Sequence, residues 1–479
     1  MKTLLLNPVT DDGRRILRSE RCQVKAVSFW PPIALAYCAA VVRAQRPGQE
    51  LAIIDAEGEE LNHGQMVERV VAAKPDVLVI QDTTATIAAD LQSAARIKTR
   101  LPRTRTVFIG LHSTVRGAEV LARRDAVDFV IRNEPEYALA ELVAALEDGH
   151  ALTGIAGLSY MDGDHLVENP ARQVNKALDL MPFPARDLLA NDRYINPMTG
   201  KVFTLIKTSR GCPYQCVYCT AIPYYGRAWR ARSVPNIIAE IKQVKEQHGI
   251  DDFLFHSDTF NLNRKFVFEL CQCMIDERLE VSWMSNCRAD LMDLEMARMM
   301  RAAGSRMVSF GIESGSDVML QAMKKGLTTD QARRAVACCQ EAGLQVIAYF
   351  VLGTPGETRQ TMQQTLDFAL ELDPEVAQFF VATPFPGTEF YEQALRMGAL
   401  TSDNWEDYMH GEADVFDYGD LSSKDFIAFK NHCYRRFYLR PGRILRTLSS
   451  NLSLLQSARG WGHIARFLRN RIFAGATPG

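Results

Sequence analysis

The stretch SRGCPYQCVYCT holds three cysteines, Cys212, Cys216 and Cys219, with the spacing C-x3-C-x2-C. Cysteine thiolates are the usual protein ligands of iron–sulfur clusters. Three of them on one loop can bind three irons of a [4Fe-4S] cluster and leave the fourth iron without a protein ligand. A structural zinc site normally has four protein ligands, but no Cys or His follows closely, the next being His248 and His256. The spacing therefore favours an open iron–sulfur cluster over a zinc site.

The other eight cysteines are scattered and form no second set of this kind. They are Cys22, Cys38, Cys271, Cys273, Cys287, Cys338, Cys339 and Cys433. Cys338 and Cys339 lie on a helical pattern, where neighbouring side chains point about 100° apart and are poorly placed to share one metal ion. We expect all eight to be buried, apolar thiols, and we predict no auxiliary cluster.

The composition is that of a folded protein without a strong net charge. Of the 479 residues, 47% are hydrophobic and 23% are charged, which excludes disordered and fibrous classes. The 55 Lys and Arg residues nearly balance the 57 Asp and Glu residues, so no nucleic-acid partner is predicted. At about 150 residues per domain, the length allows two to four domains.

No segment is predicted to cross a membrane. The longest uninterrupted apolar run, 31–42, is too short for a bilayer and is predicted to be a buried helix. The N-terminus turns polar within a few residues and has no signal-peptide cleavage pattern. The basic, aromatic stretches YRRFYLRPGRILRTL and HIARFLRNRIF near the C-terminus are predicted to pack on the protein rather than on a membrane. We therefore expect a cytoplasmic protein.

The first 150 residues alternate short apolar runs with helical patterns. The predicted strands are 4–6, 51–54, 77–80, 107–109 and 129–131, and the predicted helices lie near 33–46, 64–74, 87–100, 116–124 and 136–147. Strands that are apolar throughout are typical of a parallel sheet covered on both faces. Residues 1–150 are therefore predicted to form an α/β domain with a doubly wound, Rossmann-like sheet, whose ligands bind beyond the carboxyl ends of the strands.

A linker is predicted over 151–200, where Pro, Gly and Asn are frequent and only one short strand pattern occurs, near 157–160. Alternation then resumes over 201–395. The predicted strands are 202–207, 253–256, 281–285, 307–310, 346–352 and 378–383, and the predicted helices lie near 234–248, 263–278, 291–303, 330–342, 357–373 and 388–397. Six such units predict a partial (β/α)6 barrel similar to a TIM barrel. Residues 396–479 are predicted to be a helical C-terminal segment.

The cysteine motif and the strand ends that follow it resemble the radical S-adenosylmethionine superfamily over roughly 202–390. In that family the open iron binds S-adenosylmethionine, whose reductive cleavage yields a 5′-deoxyadenosyl radical that abstracts hydrogen. The resemblance implies that the three cysteines bind the cluster. It also implies five residues that contact S-adenosylmethionine: Tyr218 before the last cysteine, Ser257 and Asp258 after the second strand, Glu313 in SFGIESG after the fourth, and Gly353 in FVLGTPGET after the fifth.

Three of these strand-end residues also have a purely structural interpretation. Asp258 could cap the helix that follows it. Glu313 could be a carboxylate at a helix start, and Gly353 could belong only to a tight turn. Their joint placement at successive strand ends favours the binding roles.

The N-terminal domain resembles that of the cobalamin-binding subfamily. WPPIALAYCAAVVR is similar to its first helix, and FIGLHST to the turn after its fourth strand. The resemblance implies cobalamin between the two domains, with its nucleotide tail beside the small polar loop that contains Thr83, Thr84 and Thr86. The D-x-H-x-x-G motif that supplies an axial histidine is absent, so His112 is expected near the cofactor pocket rather than on cobalt. The alternative is a domain that packs on the barrel and holds no corrin.

The sequence GRAWRARS, just after the cysteines, also resembles this subfamily. Its arginines could bind an acidic group of the substrate at the mouth of the active site, and Tyr224 and Tyr225 could face the substrate. The favoured interpretation of the arginines is an ion-paired strut that leads into the helix after Ser233.

These inferences predict a cobalamin-dependent radical S-adenosylmethionine enzyme, a methyltransferase that acts on an unactivated carbon. One S-adenosylmethionine would methylate cobalamin, and a second would be cleaved at the cluster. The expected partners are a small-molecule substrate and an electron donor such as flavodoxin or ferredoxin. One alternative keeps both cofactors but performs a cyclisation or rearrangement without methyl transfer. Another is a non-catalytic zinc- or corrin-binding module.

Overall fold

The computed structural model describes residues 1–13, 15–20, 23–25 and 29–444, and of 23–25 only the backbone. These residues form two large sheets, one from each half of the chain, with helices packed on them. Cys22 and the stretch HIARFLRNRIF lie outside the described residues. Within the described part of the chain, no helix is both long enough and apolar enough to span a bilayer.

The first sheet is doubly wound, as predicted. Its half of the chain contains the strands β1 (Lys2–Asn7), β2 (Ile16–Arg18), β3 (Gln23–Lys25), β4 (Glu50–Asp55), β5 (Val77–Asp82), β6 (Arg105–Gly110), β7 (Phe129–Ile131), β8 (Leu158–Asp162) and β9 (His165–Glu168). The helices are α1 (Ile33–Gln45), α2 (His63–Ala73), α3 (Ile87–Arg100), α4 (Leu111–Leu121) and α5 (Glu136–Asp148). The sheet order is β4-β1-β5-β6-β7-β8-β9, while β2 and β3 form a separate ribbon. Strand addition reverses between β1 and β5, and ligands bind at such switch points.

Two boundaries differ from those predicted. α4 begins at Leu111, directly after β6, and not near residue 116. Gly110, with φ of 147°, turns the chain at once into this helix, and a Cβ there would collide with the carbonyl oxygen of Asp82. β8 and β9 carry the first sheet into the range 151–200 that the sequence predicts as a linker. The sequence indicates the first of these strands but not the second.

The second sheet has six parallel strands in consecutive order, β10-β13-β14-β15-β16-β17. The strands of this half are β10 (Phe203–Lys207), β11 (Ser209–Arg210), β12 (Arg230–Ala231), β13 (Asp252–His256), β14 (Ser282–Cys287), β15 (Ser305–Glu313), β16 (Gln345–Leu352) and β17 (Val376–Val381). The helices are α6 (Ala221–Tyr225), α7 (Val234–His248), α8 (Arg264–Asp276), α9 (Leu294–Ala302), α10 (Asp317–Ala322), α11 (Thr329–Glu341), α12 (Arg359–Leu372), α13 (Glu389–Arg396) and α14 (Ser423–Tyr438). This strand order is the one that six consecutive βα units require. The curvature of the sheet into a partial barrel stays a prediction.

Local signals and core packing together fix these elements. α7 begins after Ser233, whose hydroxyl accepts a hydrogen bond from the amide of Asn236. The apolar faces meet in one large core, where the rings of Phe255 and Trp283 stack with centroids 4.7 Å apart. Truncating a buried Trp to Ala costs about 3–5 kcal/mol, so this core holds β13 and β14 firmly in place.

The described part of the C-terminal segment packs on the second sheet. α14 lies along β17, where the hydroxyl of Tyr434 accepts a hydrogen bond from the amide of Phe379 and the hydroxyl of Tyr438 accepts one from the amide of Ala377. Beyond residue 396, the described residues form one long helix, one short 3-10 turn and isolated β-bridges.

Candidate functional site

The cysteine loop, residues 211–229, is closed at its base by β11 and β12, which pair antiparallel. It follows β10 almost directly and so lies at the carboxyl end of the second sheet. Gly211 has φ of 82°, and a Cβ there would collide with the carbonyl oxygen of Ala228. The amide of Gly211 donates a 2.9 Å hydrogen bond to the carboxylate of Asp258. The loop therefore begins in a fixed conformation that is tied to the residues after β13.

The three cysteines in this loop form no disulfide bond among the described residues, and each is partly exposed. The sulfur of Cys212 lies 3.5 Å from the hydroxyl of Thr259, and the sulfur of Cys219 accepts a hydrogen bond from the amide of Ala221 at 3.4 Å. Among the described residues, no three His, Cys, Asp or Glu side chains are grouped so that they could hold one ion. A [4Fe-4S] cluster instead places each thiolate on a separate iron. The donor set fits such a cluster better than a closed zinc site.

A buried ion pair lies beside the cysteine loop. The carboxylate of Glu313 accepts a 2.7 Å hydrogen bond from the ammonium of Lys325, and both side chains are nearly buried. Burial lowers the pKa of Lys325, but the charges of Glu313 and Cys216 outweigh it and hold that pKa above its usual value. Glu313 lies at a bulge in β15 with φ of 70°, a rare conformation for this residue type that often marks functional sites.

Arg288 is a second buried cation near the loop. It is not among the site residues predicted from the sequence. Its guanidinium lies 3.4 Å from the centre of the Tyr214 ring, and it donates hydrogen bonds to Asp290 at 2.9 Å and to the carbonyl of Lys325 at 2.7 Å. Burial lowers the pKa of Arg288, but Asp290 and Tyr214 raise it to above its usual value. A signal was available, because Arg288 directly follows β14 and barrel sites lie at such strand ends.

Ser257, Asp258 and Tyr218 gather at the same end of the sheet. Asp258 does not cap the next helix, because α8 is capped by Asn263 and the Asp258 carboxylate holds the start of the cysteine loop. The hydroxyl of Ser257 is buried and has no hydrogen-bond partner among the described residues. Burial, and next the charge of Glu313, raise the pKa of Tyr218 well above its usual value. Tyr218 therefore lies close to Glu313.

Gly353 forms a turn that is covered by the C-terminal segment. Its amide donates to Glu357 at 3.1 Å, and its carbonyl accepts a 3.0 Å hydrogen bond from the hydroxyl of Tyr418. Its φ is 90°, and a Cβ there would press on the rings of Phe416 and Phe426. Burial raises the pKa of Glu357 to about 7. The tight-turn interpretation is therefore correct for the backbone, whether or not the residue also contacts a cofactor.

Three threonines follow β5 at the carboxyl edge of the first sheet, and all are buried. The hydroxyls of Thr83 and Thr86 lie 2.7 Å apart, and Thr86 donates to Asp90 at 2.8 Å. Arg18 on β2 donates to both Thr86 and Asp90. The hydroxyl of Thr84 has no partner within the described residues. Thr83 and Thr86 therefore hold the turn, and only the Thr84 hydroxyl of the three is unpaired within the described residues.

His112 is the second residue of α4, at the neighbouring strand end. It is fully buried, and neither ring nitrogen has a hydrogen-bond partner in the described part of the chain. The edge of its ring meets Trp405 at a centroid distance of 5.2 Å. Burial, and next the charge of Arg116, lower the pKa of His112 to about 3, so the imidazole is neutral. Asp82 beside it accepts hydrogen bonds from Ser113, and burial raises the pKa of Asp82 to about 7.

The arginines after the cysteine loop form an ion-paired strut, as favoured by the sequence. Arg232 pairs with the buried Glu240. Arg230 lies 2.6 Å from Glu134 of the first half and donates to the carbonyl of Tyr225 at 3.1 Å. Tyr224 and Tyr225 are buried as well.

Comparison with known proteins decides the family. The sequence matches the radical SAM superfamily over residues 206–369 and the B12 binding domain over residues 23–143. An uncharacterized methyltransferase of Pyrococcus horikoshii, PH0819, is 32% identical over 452 residues, which cover 94% of this chain and 95% of that protein. The chain belongs to the radical SAM superfamily and carries a B12-binding domain.

Two further similarities bear on fold and activity. The anaerobic magnesium-protoporphyrin IX monomethyl ester cyclase of Cereibacter sphaeroides is 26% identical over 86% of this chain and 67% of its own length. The fold is also that of OxsB, a cobalamin-dependent S-adenosylmethionine radical enzyme solved with aqua-cobalamin and S-adenosylmethionine bound. The TM-score is 0.74 at 14% identity, over 98% of this chain and 75% of OxsB.

As a radical SAM enzyme with a B12-binding domain, the protein uses a [4Fe-4S] cluster, S-adenosylmethionine and cobalamin. Its residues fit these groups. The buried hydroxyl of Ser257 lies beside the cysteine loop, and Thr84 and His112 offer unpaired polar atoms at neighbouring strand ends of the first sheet. Buried polar atoms without partners are costly, so cofactors that supply the missing hydrogen bonds explain them. The assignment of individual side chains to each cofactor stays a prediction.

Proposed function

We propose that this protein is a methyltransferase that acts on an unactivated carbon of a small molecule. The observation that carries the proposal is the loop of three partly exposed thiols at the carboxyl end of the second sheet. The proposal draws further support from the 32% identity to PH0819, which is named a methyltransferase, over almost the whole chain. When bound, the cluster would supply the electron that cleaves S-adenosylmethionine to a radical, and cobalamin would carry the methyl group.

At the second sheet, the chain would hold and orient two of the cofactors. Cys212, Cys216 and Cys219 would bind the cluster, and Tyr218, Ser257, Asp258, Glu313 and Gly353 would contact S-adenosylmethionine. Asp258 fixes the first residue of the cysteine loop through the Gly211 amide. Glu313 neutralises Lys325, so the pair can turn toward a zwitterionic ligand without leaving an isolated buried charge.

At the first sheet, Thr83, Thr84 and His112 would contact cobalamin. The free hydroxyl of Thr84 and the neutral ring of His112 can each form hydrogen bonds with the polar nucleotide tail. An electron donor such as flavodoxin or ferredoxin would reduce the cluster.

The test follows the methyl group directly. The anaerobically reconstituted protein is incubated with a reductant, S-adenosylmethionine that carries a deuterated methyl group, and a small-molecule extract of the source cells. We expect a deuterated product together with both S-adenosylhomocysteine and 5′-deoxyadenosine. Formation of 5′-deoxyadenosine and a product without a deuterated methyl group would contradict methyl transfer.

A second candidate is a cyclisation that uses the same cofactors. The similarity to the magnesium-protoporphyrin IX monomethyl ester cyclase supports it. A cyclase would give 5′-deoxyadenosine and a product that has lost hydrogen, without S-adenosylhomocysteine. The same assay therefore separates the two reactions.

A further inference from the structure

Two buried arginines face each other at the base of the cysteine loop. Arg210 on β11 and Arg230 on β12 are directly paired in the antiparallel ribbon. Their side chains are only 4% and 6% exposed. Like charges directly opposite each other destabilise a pair of strands, and buried charges need partners. The base of the loop therefore depends on carboxylates from elsewhere.

The first half of the chain supplies both carboxylates from one turn, residues 133–136, between β7 and α5. Glu134 bridges the two arginines, at 2.8 Å from Arg210 and 2.6 Å from Arg230. Glu136, the first residue of α5, accepts a 2.6 Å hydrogen bond from the other terminal nitrogen of Arg210. Two carboxylates thus balance two guanidinium groups in a nearly dry site. The base of the loop is neutral only while this turn is docked on it.

The same turn also contacts the other end of the loop. The side-chain amide of Asn133 donates to the carbonyls of Pro223 and Tyr224, each at 2.9 Å, in the short helix that follows Cys219. Asn133 has φ of 65°, a left-handed conformation that Asn tolerates. Its backbone amide donates to the hydroxyl of Thr114 at 2.9 Å. One turn therefore contacts the loop on both sides of its three cysteines.

We propose that the turn 133–136 of the B12-binding half positions the cysteine loop, so that retention of the cluster depends on the docked cobalamin half. Asn133, Glu134 and Glu136 are positioning residues, because they contact the base and the backbone of the loop and not the thiols. The proposal rests on the assignment of the three cysteines as cluster ligands under the proposed function. It adds that the second half cannot retain its cluster without the docked first half, whereas cobalamin binding does not require the cluster.

The first test uses Glu134→Gln in the full-length, anaerobically reconstituted protein. Its control is Glu141→Gln. Glu141 lies in α5, and this substitution breaks its partly exposed pair with Arg172. We expect Glu134→Gln to lose iron to a chelator at least about tenfold faster than the wild type and the control, since it leaves a buried cation unpaired. We also expect an altered electron paramagnetic resonance spectrum of the reduced cluster. Hydroxocobalamin affinity, read from absorbance, should stay within about twofold, because Glu134 pairs with Arg210 and Arg230 and not with Thr84 or His112.

Two further variants separate positioning from general damage. Glu134→Asp keeps the charge and should restore much of the cluster retention. Asn133→Gly removes only the side-chain amide, because glycine keeps the left-handed backbone, and should raise the rate of iron loss by a smaller factor of about threefold.

The outcomes are distinct. Faster iron loss and a changed spectrum with intact cobalamin binding support the proposal. Iron loss and a spectrum equal to those of Glu141→Gln would overturn it, and so would loss of cobalamin binding together with the cluster, which would indicate general destabilisation. If the wild type binds the cluster but transfers no methyl group, only the proposed function fails. If the wild type binds no cluster, the cysteine assignment fails and the positioning proposal fails with it.

Discussion

At the carboxyl edge of the first sheet, Asp55 and Asp82 are buried among neutral hydrogen-bond donors, whereas at the edge of the second sheet Glu313 and Asp290 each lie beside a buried cation. Burial raises the pKa of Asp55 and raises that of Asp82 to about 7. At the second edge, Lys325 pairs with Glu313, and its pKa is raised despite burial. The two strand-end carboxyl groups of the first edge thus have raised pKa values, although the buried pair Arg18–Asp90 also lies there, whereas those of the second edge are paired with cations.

This difference matches the cofactors of the family. At the first edge, the unpaired polar atoms of Thr84 and His112 suit the polar tail of cobalamin. An edge of paired charges next to three thiols suits a cluster and the zwitterionic S-adenosylmethionine. The same topological rule, that ligands bind at the carboxyl ends of parallel strands, therefore yields two chemically different sites in one chain.

The largest effect should come from breaking a charge pair at the second edge. Glu313→Ala leaves the ammonium of Lys325 buried without its partner, which should lower the free energy of unfolding by about 3–5 kcal/mol. The adjacent Lys324 offers a matched control, because its pair with Glu389 is about half exposed. Glu389→Ala should cost at most about 1 kcal/mol. Urea denaturation measures both free energies of unfolding. If Glu313→Ala and Glu389→Ala lowered them equally, burial would not make the Glu313–Lys325 pair more important for stability than the exposed pair.

At the first edge, the effect should depend on pH. The pKa of Asp82 rises from 3.8 to about 7 on folding, so the native state binds its proton more tightly than the unfolded state. Its contribution to stability is therefore complete below about pH 4 and is lost as the pH rises to 7, by up to about 4 kcal/mol. In urea titrations, the free energy of unfolding of Asp82→Asn should therefore decrease less between pH 5 and pH 8 than that of the wild type. An unchanged slope would show that Asp82 is ionised in the native state.

A smaller effect is expected where the first edge meets cobalamin. His112→Phe keeps an aromatic ring but removes both unpaired nitrogens, and should weaken hydroxocobalamin binding about fivefold to tenfold, the value of one hydrogen bond. Iron content should not change. His150→Phe, at the exposed end of α5, is the control and should bind like the wild type. Unaltered affinity of His112→Phe would remove His112 from the cofactor site.

The smallest effect should come from the C-terminal segment over the second edge. Tyr418→Phe removes one hydrogen bond to the carbonyl of Gly353, which should cost about 0.5–1.5 kcal/mol. Differential scanning calorimetry would show a slightly lower Tm. A Tm equal to that of the wild type would mean that the covering segment does not stabilise this turn.

The elements of both sheets could be predicted because their signals are local. The predicted helix 234–248 coincides with α7, since Ser233 caps its start and Gly249, with φ of 66°, ends it. α4 begins five residues before the predicted start. Its early start depends on Gly110, which is required because Asp82 on a neighbouring strand approaches it closely. That contact leaves no periodic pattern in the sequence.

The cysteine motif was recognisable for the same reason, since its three cysteines lie within eight residues of one another. The charge pairs around it were not. Glu134 and Arg210 are 76 residues apart, and Glu313 and Lys325 are 12 apart. Only the fold brings these partners together, and composition shows nothing beyond a balanced net charge.

The claim that each sheet edge binds its own cofactor is tested most directly with Cys216→Ala. Its cofactor content is measured by spectroscopy after anaerobic reconstitution with iron, sulfide and hydroxocobalamin. This variant should lose the electron paramagnetic resonance signal of the reduced [4Fe-4S] cluster and form no 5′-deoxyadenosine. Its cobalamin absorbance should equal that of the wild type. A variant that keeps the cluster signal and still forms 5′-deoxyadenosine would contradict the assignment of the second edge.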